Sequence, residues 1–208
     1  MAGAIAGRSE AARALRATAA DAADCTRCDL YRRATQTVFG AGPAPAALML
    51  VGEQPGDRED LAGEPFVGPA GRVLDDALAA AGVARDHVYL TNAVKHFKWE
   101  PRGKRRIHKP PAAGEIVACS TWLAEELHRV DPGVVVALGA TAVRAVFGRA
   151  LPLRSLRGTV HDLDDGRRAV ATLHPAAVVR LRDPEERRAA LDGMVADLRM
   201  AADAARAR

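Results

Sequence analysis

The chain has 208 residues, 49% of them apolar and 27% charged, the make-up of one globular domain with a sizeable core. No apolar run reaches the roughly 18 residues of a membrane span, and Met1 to Glu10, with Arg8 and Glu10 and no apolar centre, does not read as a secretory leader, so the expected location is the cytoplasm. The net charge of +4 is mild, but Lys95, Lys98, Arg102, Lys104, Arg105, Arg106 and Lys109 lie close together with only Glu100 against them. Such a patch suits phosphate, or is simply a solvated loop.

In chain order, residues 9–24 are Ala-rich with helical patterning, and residues 1–21 read as a helical extension of the domain. The run 46–51 (AALMLV) predicts a buried strand that ends at Gly52 and passes into a loop. Pro69 opens a helix with Val73, Leu74, Ala77, Leu78 and Ala81 at helical spacing and Gly82 as its stop. Residues 87–90 (HVYL) predict a second strand, ending at Thr91 and Asn92. The stretch 95–111 is basic, contains Gly and Pro and has no periodicity, so it reads as a long inserted loop. Residues 113–130 predict a helix carrying Cys119, and 133–138 (GVVVAL) a third buried strand followed by a helix from Gly139. Residues 159–163 and 169–173 predict strands around an Asp-Asp-Gly turn, and 184–205 a closing helix. Strands alternating with helices imply a single-domain three-layer α/β sandwich, residues 1–208, with a mainly parallel central sheet.

In such sheets ligands bind beyond the carboxyl ends of the strands. The segments there are 52–60, Asn92, Gly139 and His174-Pro175. Gly52 lets backbone approach a ligand, and Glu53 and Asp57 put carboxylates at a strand end, or form only an acidic turn. Phe66 sits in a Gly/Pro-rich loop, as a stacking surface or as packing. Asn92 is a strand-end amide that must be hydrogen-bonded or hold a ligand. His174 ends the last strand and Arg180 follows it. Three cysteines, Cys25, Cys28 and Cys119, do not make a disulfide framework; the Cys-x-x-Cys pair leaves a redox motif or a metal site.

Taken together, GEQPG (52–56), FVGPAGRVL (66–74), LTN (90–92) and HPAAVVR (174–180) resemble the motifs of the uracil-DNA glycosylase superfamily, in its iron–sulfur branch, over about residues 22–200. The resemblance implies an enzyme that acts on uracil-containing DNA as a monomer without a membrane. In it, Phe66 stacks on a flipped-out uracil, Asn92 reads its Watson–Crick edge and His174 bonds O2 as the base leaves. Residues 176–180, with Arg180, lie against the DNA strand. Glu53, or more weakly Asp57, stabilises the sugar cation that follows cleavage of the glycosidic bond.

The same branch holds a [4Fe–4S] cluster on four cysteines. Cys25, Cys28 and Cys119 match three, and His96 stands where the fourth is expected, implying Cys₃His ligation; by residue type alone a structural zinc site fits equally. The segment 104–108 (KRRIH), and Gln54 after the glutamate, resemble the glycosylase X subgroup. There the matching histidine, His108, attacks the sugar carbon and leaves a covalent protein–DNA adduct, with Arg106 holding the loop against phosphate or Glu53 and with Lys104, Arg105 and Lys109 on the DNA backbone. Read without the resemblance, His108 among arginines is a phosphate contact. The rival readings are a turnover glycosylase using water, a metal-stabilised nucleic-acid binding module, and a ferredoxin-like electron carrier, which has no reason for Asn92, Phe66 and His174 at strand ends.

Overall fold

A computed structural model describes residues 2–207; Met1 and Arg208, which the domain expectation included, and the side chains of residues 2–6, 8 and 9 lie outside the described residues. Strands β1 (Leu48–Gly52), β2 (Val88–Asn92), β5 (Val134–Leu138), β6 (Val160–Asp162) and β7 (Arg168–Thr172) form one sheet in the order β2-β1-β5-β7-β6. The first four are parallel and β6 runs antiparallel to β7. In between, β3 (Trp99–Arg102) and β4 (Arg105–His108) make a separate antiparallel hairpin.

The apolar runs of β1, β2 and β5 are buried along their whole length, as expected of parallel strands covered on both faces. Successive side chains alternate between two cores. Leu48, Leu50, Val88, Leu90, Val134, Val136 and Val170 face one layer, made of α3 (Pro69–Ala80), α7 (Pro175–Arg180) and α8 (Pro184–Arg206). Met49, Val51, Tyr89, Val135, Ala137 and Ala171 face the other, made of α1 (Ala2–Ala23), α4 (Ala113–Val130), α5 (Gly139–Phe147) and α6 (Leu153–Leu156). Each such Leu or Val side chain contributes about 1.5–3 kcal/mol on leaving water. The expected three-layer sandwich is thus present. The helical extension is part of one layer, with Leu15 and Ala22 of α1 in the core it shares with Leu123 and Val130 of α4.

Three expectations are corrected. The segment after β1 is not loop throughout: α2 (Asp57–Ala62) begins there, because the buried Glu59 carboxylate accepts from the amides of Gly56 at 3.1 Å and Gly68 at 2.8 Å. The basic stretch is not an aperiodic loop: Arg102 pairs with Arg105 across a two-residue turn whose Gly103 has φ 59°, and Trp99 pairs with His108. Lys95 is no part of a basic surface. It is fully buried, with Nζ 2.5 Å from Glu126 Oε2 and donating to Thr91 Oγ1 and the Asn92 carbonyl, both at 2.7 Å. No helix among the described residues is long and apolar enough to cross a membrane.

Candidate active site

Strands β1, β2, β5 and β7 end at one cleft of about 830 Å³, lined among others by Glu53, Phe66, Asn92, His108, His174 and Arg180. Gly52, at the end of β1, lets Asn92 and Phe66 close in on the backbone there: any Cβ would come within 2.3 Å of Asn92 Oδ1 and 2.7 Å of the Phe66 ring. Phe66 follows α2 and is buried with φ 59°, a left-handed backbone that costs a non-glycine residue on the order of 1 kcal/mol. Its carbonyl accepts from Arg85 Nη2 at 3.3 Å and packs on Gly71, where a Cβ would lie 1.7 Å from that oxygen. Asn92 closes β2; it is 2% exposed, and its side-chain amide makes no hydrogen bond among the described residues. A buried amide left open toward a cleft is arranged for a polar ligand.

His174 is the N-cap of α7. Its Nδ1 accepts from the Ala176 amide at 3.1 Å, so in the neutral ring the proton sits on Nε2. Burial pushes this imidazole down to about 4; Glu53 opposes the shift, while Arg180 and His108 add to it. At neutral pH it is an uncharged donor whose ring faces that of Phe66, with centroids 6.3 Å apart. Burial alone would raise the Glu53 carboxyl, but hydrogen bonds from His108 and Thr141, backed by electrostatic attraction to His108, hold it below its ordinary value. Its Oε1 lies 3.3 Å from His108 Nε2 and its Oε2 accepts from Thr141 Oγ1 at 2.5 Å.

The hairpin that carries His108 is fastened at its base and along its length. Gln54, buried, donates from Nε2 to the carbonyls of Lys98 at 3.2 Å and Lys109 at 2.9 Å, and its Oε1 accepts from the Lys98 amide. Arg106 is not paired with Glu53. It pairs with Asp57 and the fully buried Asp60, both at 2.5 Å, over the rings of Phe97 and Trp99. Asp57 is therefore committed to the hairpin although it lines the cleft. Trp99 Nε1 donates to the Arg33 carbonyl at 2.9 Å. Lys104 and Arg105 stand exposed at the tip, Lys109 pairs with Glu100 at 2.8 Å, and Lys98 with Glu115 at 2.9 Å. Asp60 and Thr141 were not read from the sequence; the cue for Thr141 was its place two residues beyond the strand end at Gly139.

Cys25 and Cys119 are buried and Cys28 half-buried, all three as free thiols. Trp122 Nε1 donates to Cys25 Sγ at 3.1 Å and the Lys95 amide to Cys119 Sγ at 3.3 Å. Burial pushes the Cys119 thiol up to about 11, the Lys95 amide and charge oppose it, and Cys28 and Cys25 add to it, so the three sulfurs lie in electrostatic reach of one another. His96, one residue past Lys95, is buried with Nε2 3.0 Å from Thr37 Oγ1, and its Nδ1 is buried without a partner. Among the described residues no group of three or more His, Cys, Asp or Glu side chains is gathered closely enough to hold a metal ion. The donor types fit a thiolate-bound group, with an orphaned imidazole nitrogen nearby, but they do not form a closed coordination shell.

The family model of the uracil DNA glycosylase superfamily matches residues 39–199. The chain is 37% identical over 169 residues to a type-4 uracil-DNA glycosylase of Thermotoga maritima, covering 81% of this chain and 84% of that protein. It is 36% identical to the type-4 uracil-DNA glycosylase of Archaeoglobus fulgidus, over 74% of this chain and 78% of the relative. That of Pyrobaculum aerophilum is also 36% identical, over 75% and 80%. With the strand-end cleft inside the matched region and full-length relatives aligned across most of the fold, the chain belongs to the uracil DNA glycosylase superfamily, in its type-4 branch.

Proposed function

We propose that this uracil-DNA glycosylase ends its reaction joined covalently to the DNA, with His108 as nucleophile, as the likeness of residues 104–108 to the glycosylase X subgroup implies. The observation that carries the reading is the 3.3 Å approach of His108 Nε2 to Glu53 Oε1 at the mouth of the cleft, on a hairpin held by Gln54 and Arg106. A histidine that served only to touch phosphate has no need of a carboxylate partner inside the pocket.

The flipped uracil lies against Phe66, and Asn92 reads its Watson–Crick edge. The bond between the base nitrogen and the sugar C1′ breaks with both electrons leaving on uracil; His174 donates its Nε2 proton in a hydrogen bond to O2, where that charge collects. Glu53, ionised, stabilises the positive sugar. It then accepts the Nε2 proton of His108, and the freed nitrogen lone pair bonds to C1′. Charge balances: His108 gives its Nε2 proton to Glu53 as an imidazolium, which neutralises that pair, and the positive charge of the sugar passes to the imidazole ring bonded at C1′, against the negative charge on the departed uracil. Arg180, Lys104 and Arg105 hold the DNA backbone; Lys109 joins them once released from Glu100, while Gln54, Arg106 and Asp57 fix the hairpin.

Cys25, Cys28, Cys119 and His96 are assigned to a [4Fe–4S] cluster, as the likeness to the iron–sulfur branch implies; the buried His96 Nδ1, which has no partner, supports the assignment. Bound there, the cluster supplies cross-links and no chemistry on the sugar, tying the segment after α1 to α4. Iron and acid-labile sulfide in the purified protein are expected; zinc without sulfide overturns the assignment.

The main test mixes the protein with a uracil-containing oligonucleotide, boils it in detergent and examines mobility. A shifted band is expected from the native protein, and none from His108→Ser, which still releases uracil because water enters in place of the ring. Free uracil with no shifted band from the native protein replaces this reading with ordinary turnover.

A further inference from the structure

The two oxygens of Glu53 face different elements. Oε1 turns to His108 on β4, and Oε2 to the hydroxyl of Thr141 on α5. Thr141 itself stays out of the cleft: from this stretch the lining takes Leu138, Gly139 and Ala140. A local device puts it there. Gly139 opens α5 with φ 86°, and a Cβ at that residue would come 3.0 Å from the Cβ of His174. The strand therefore turns into the helix within one residue, and the third residue of α5 meets the end of the neighbouring β1. Threonine is stiff at χ1, so its hydroxyl is held in that direction.

The chemistry of this donor matters. A lysine or arginine behind Glu53 would orient the carboxylate but cancel much of its charge, and with it the stabilisation of a cationic sugar. A hydroxyl orients without cancelling. It favours the ionised carboxylate by a charge-assisted hydrogen bond while leaving the net charge in place. The titratable groups facing Glu53 are His108 from β4 and His174 from the start of α7, with Arg180 acting on His174 from the end of that helix.

We propose that Thr141 is a positioning residue of the glycosylase reaction: its hydroxyl pins Oε2 of Glu53 and so commits Oε1, ionised, to the mouth of the cleft. The proposal rests on Glu53 acting as the carboxylate beside the developing sugar cation, and not on covalent capture. The test uses the full-length protein with ¹³C-carboxyl-labelled glutamate, the Glu53 resonance being identified by its loss in Glu53→Gln. Thr141→Val removes the hydroxyl at nearly constant volume, Thr141→Ala removes it should valine disturb folding, and Thr141→Ser keeps it. The Glu53 titration midpoint should rise by about one pH unit in the valine or alanine variant, and return in serine. Removing a donor from the ionised form raises the pH at which the carboxyl protonates, so the acid limb of single-turnover uracil release should move up with it. At fixed acidic pH release should fall about tenfold, with KM little changed. An unmoved midpoint in a folded variant lacking the hydroxyl, or a serine variant that behaves like valine, overturns the proposal. Should Glu53→Gln release uracil at the native rate, the assignment of Glu53 fails instead, whatever Thr141 does.

Discussion

The base pocket and the hairpin are built in opposite ways. Gly52, Asn92 and His174 stand at the ends of sheet strands, where parallel pairing such as Gly52 with Asn92 sets their backbone, and the two cores behind them set the sheet. The hairpin has no core of its own: among its residues only Arg106 and Ile107 of β4 and Trp99 of β3 are even partly covered. Its position comes from side chains reaching to it, Gln54 at the base and Asp57 and Asp60 at Arg106. The placement of the strand-end residues is thus fixed by the fold, while that of His108 is fixed by a few polar contacts that single substitutions can remove.

That contrast predicts where function breaks. Asn92→Ala should cut uracil release by about 10²–10³-fold, as loss of a transition-state hydrogen-bonding group does, with melting temperature little changed; near-normal release would make Asn92 a structural strand end only. Arg106→Ala should lower the rate of adduct formation about 10–100-fold while uracil release holds, because a small displacement of a reacting group costs that much. Equal losses in both rates would mean that the hairpin shapes the base pocket as well.

A third test asks how far His174 belongs to the fold. Its folded pKa lies near 4, below the unfolded value of about 6.5. The unfolded state therefore binds the proton first as pH falls, and stability present above about pH 6.5 should be lost between there and pH 4, by roughly 1.4 kcal/mol per unit of difference. Denaturant melts of His174→Asn should be flatter across that window, and parallel curves would place the acid sensitivity elsewhere. Smallest is the salt effect: alanine at Lys104 and Arg105 should each flatten the logarithmic salt slope of DNA binding by about 0.7–0.9. An unchanged slope would turn the hairpin tip away from DNA.

The sheet and its long helices were legible because their signals are strong, continuous apolar runs for the buried strands and helical spacing for the helices: residues 113–130 were expected as a helix and α4 spans those residues. The strand-end cleft followed from the topology. The hairpin was not legible, since its strands are four residues long, charged, and interrupted by Pro101, so no alternation marks them. The cue that was present, Gly103 as the first of two turn residues, lacked apolar flanks to support it. Lys95 was misread because a lysine in a basic run looks solvated, and its partner Glu126 lies 31 residues away. Arg106 was expected to hold the loop against phosphate or Glu53; in the structure it pairs with Asp57 and Asp60, which α2 turns toward it, and that short helix was itself unread.

The buried Lys95–Glu126 pair has a consequence for how this sequence can change. Tyr89, Thr91 and the Gly40 amide all donate to Glu126, and Lys95 donates to the Asn92 carbonyl. Losing either charge alone leaves the other stranded in a dry interior, a loss of about 3–5 kcal/mol, whereas replacing both with apolar side chains of similar volume can be close to neutral. The two positions therefore form a valley between two habitable sequences, crossed in two steps only through a poorly folded intermediate. Asn92, tethered through its carbonyl to one side of that valley, inherits its immobility.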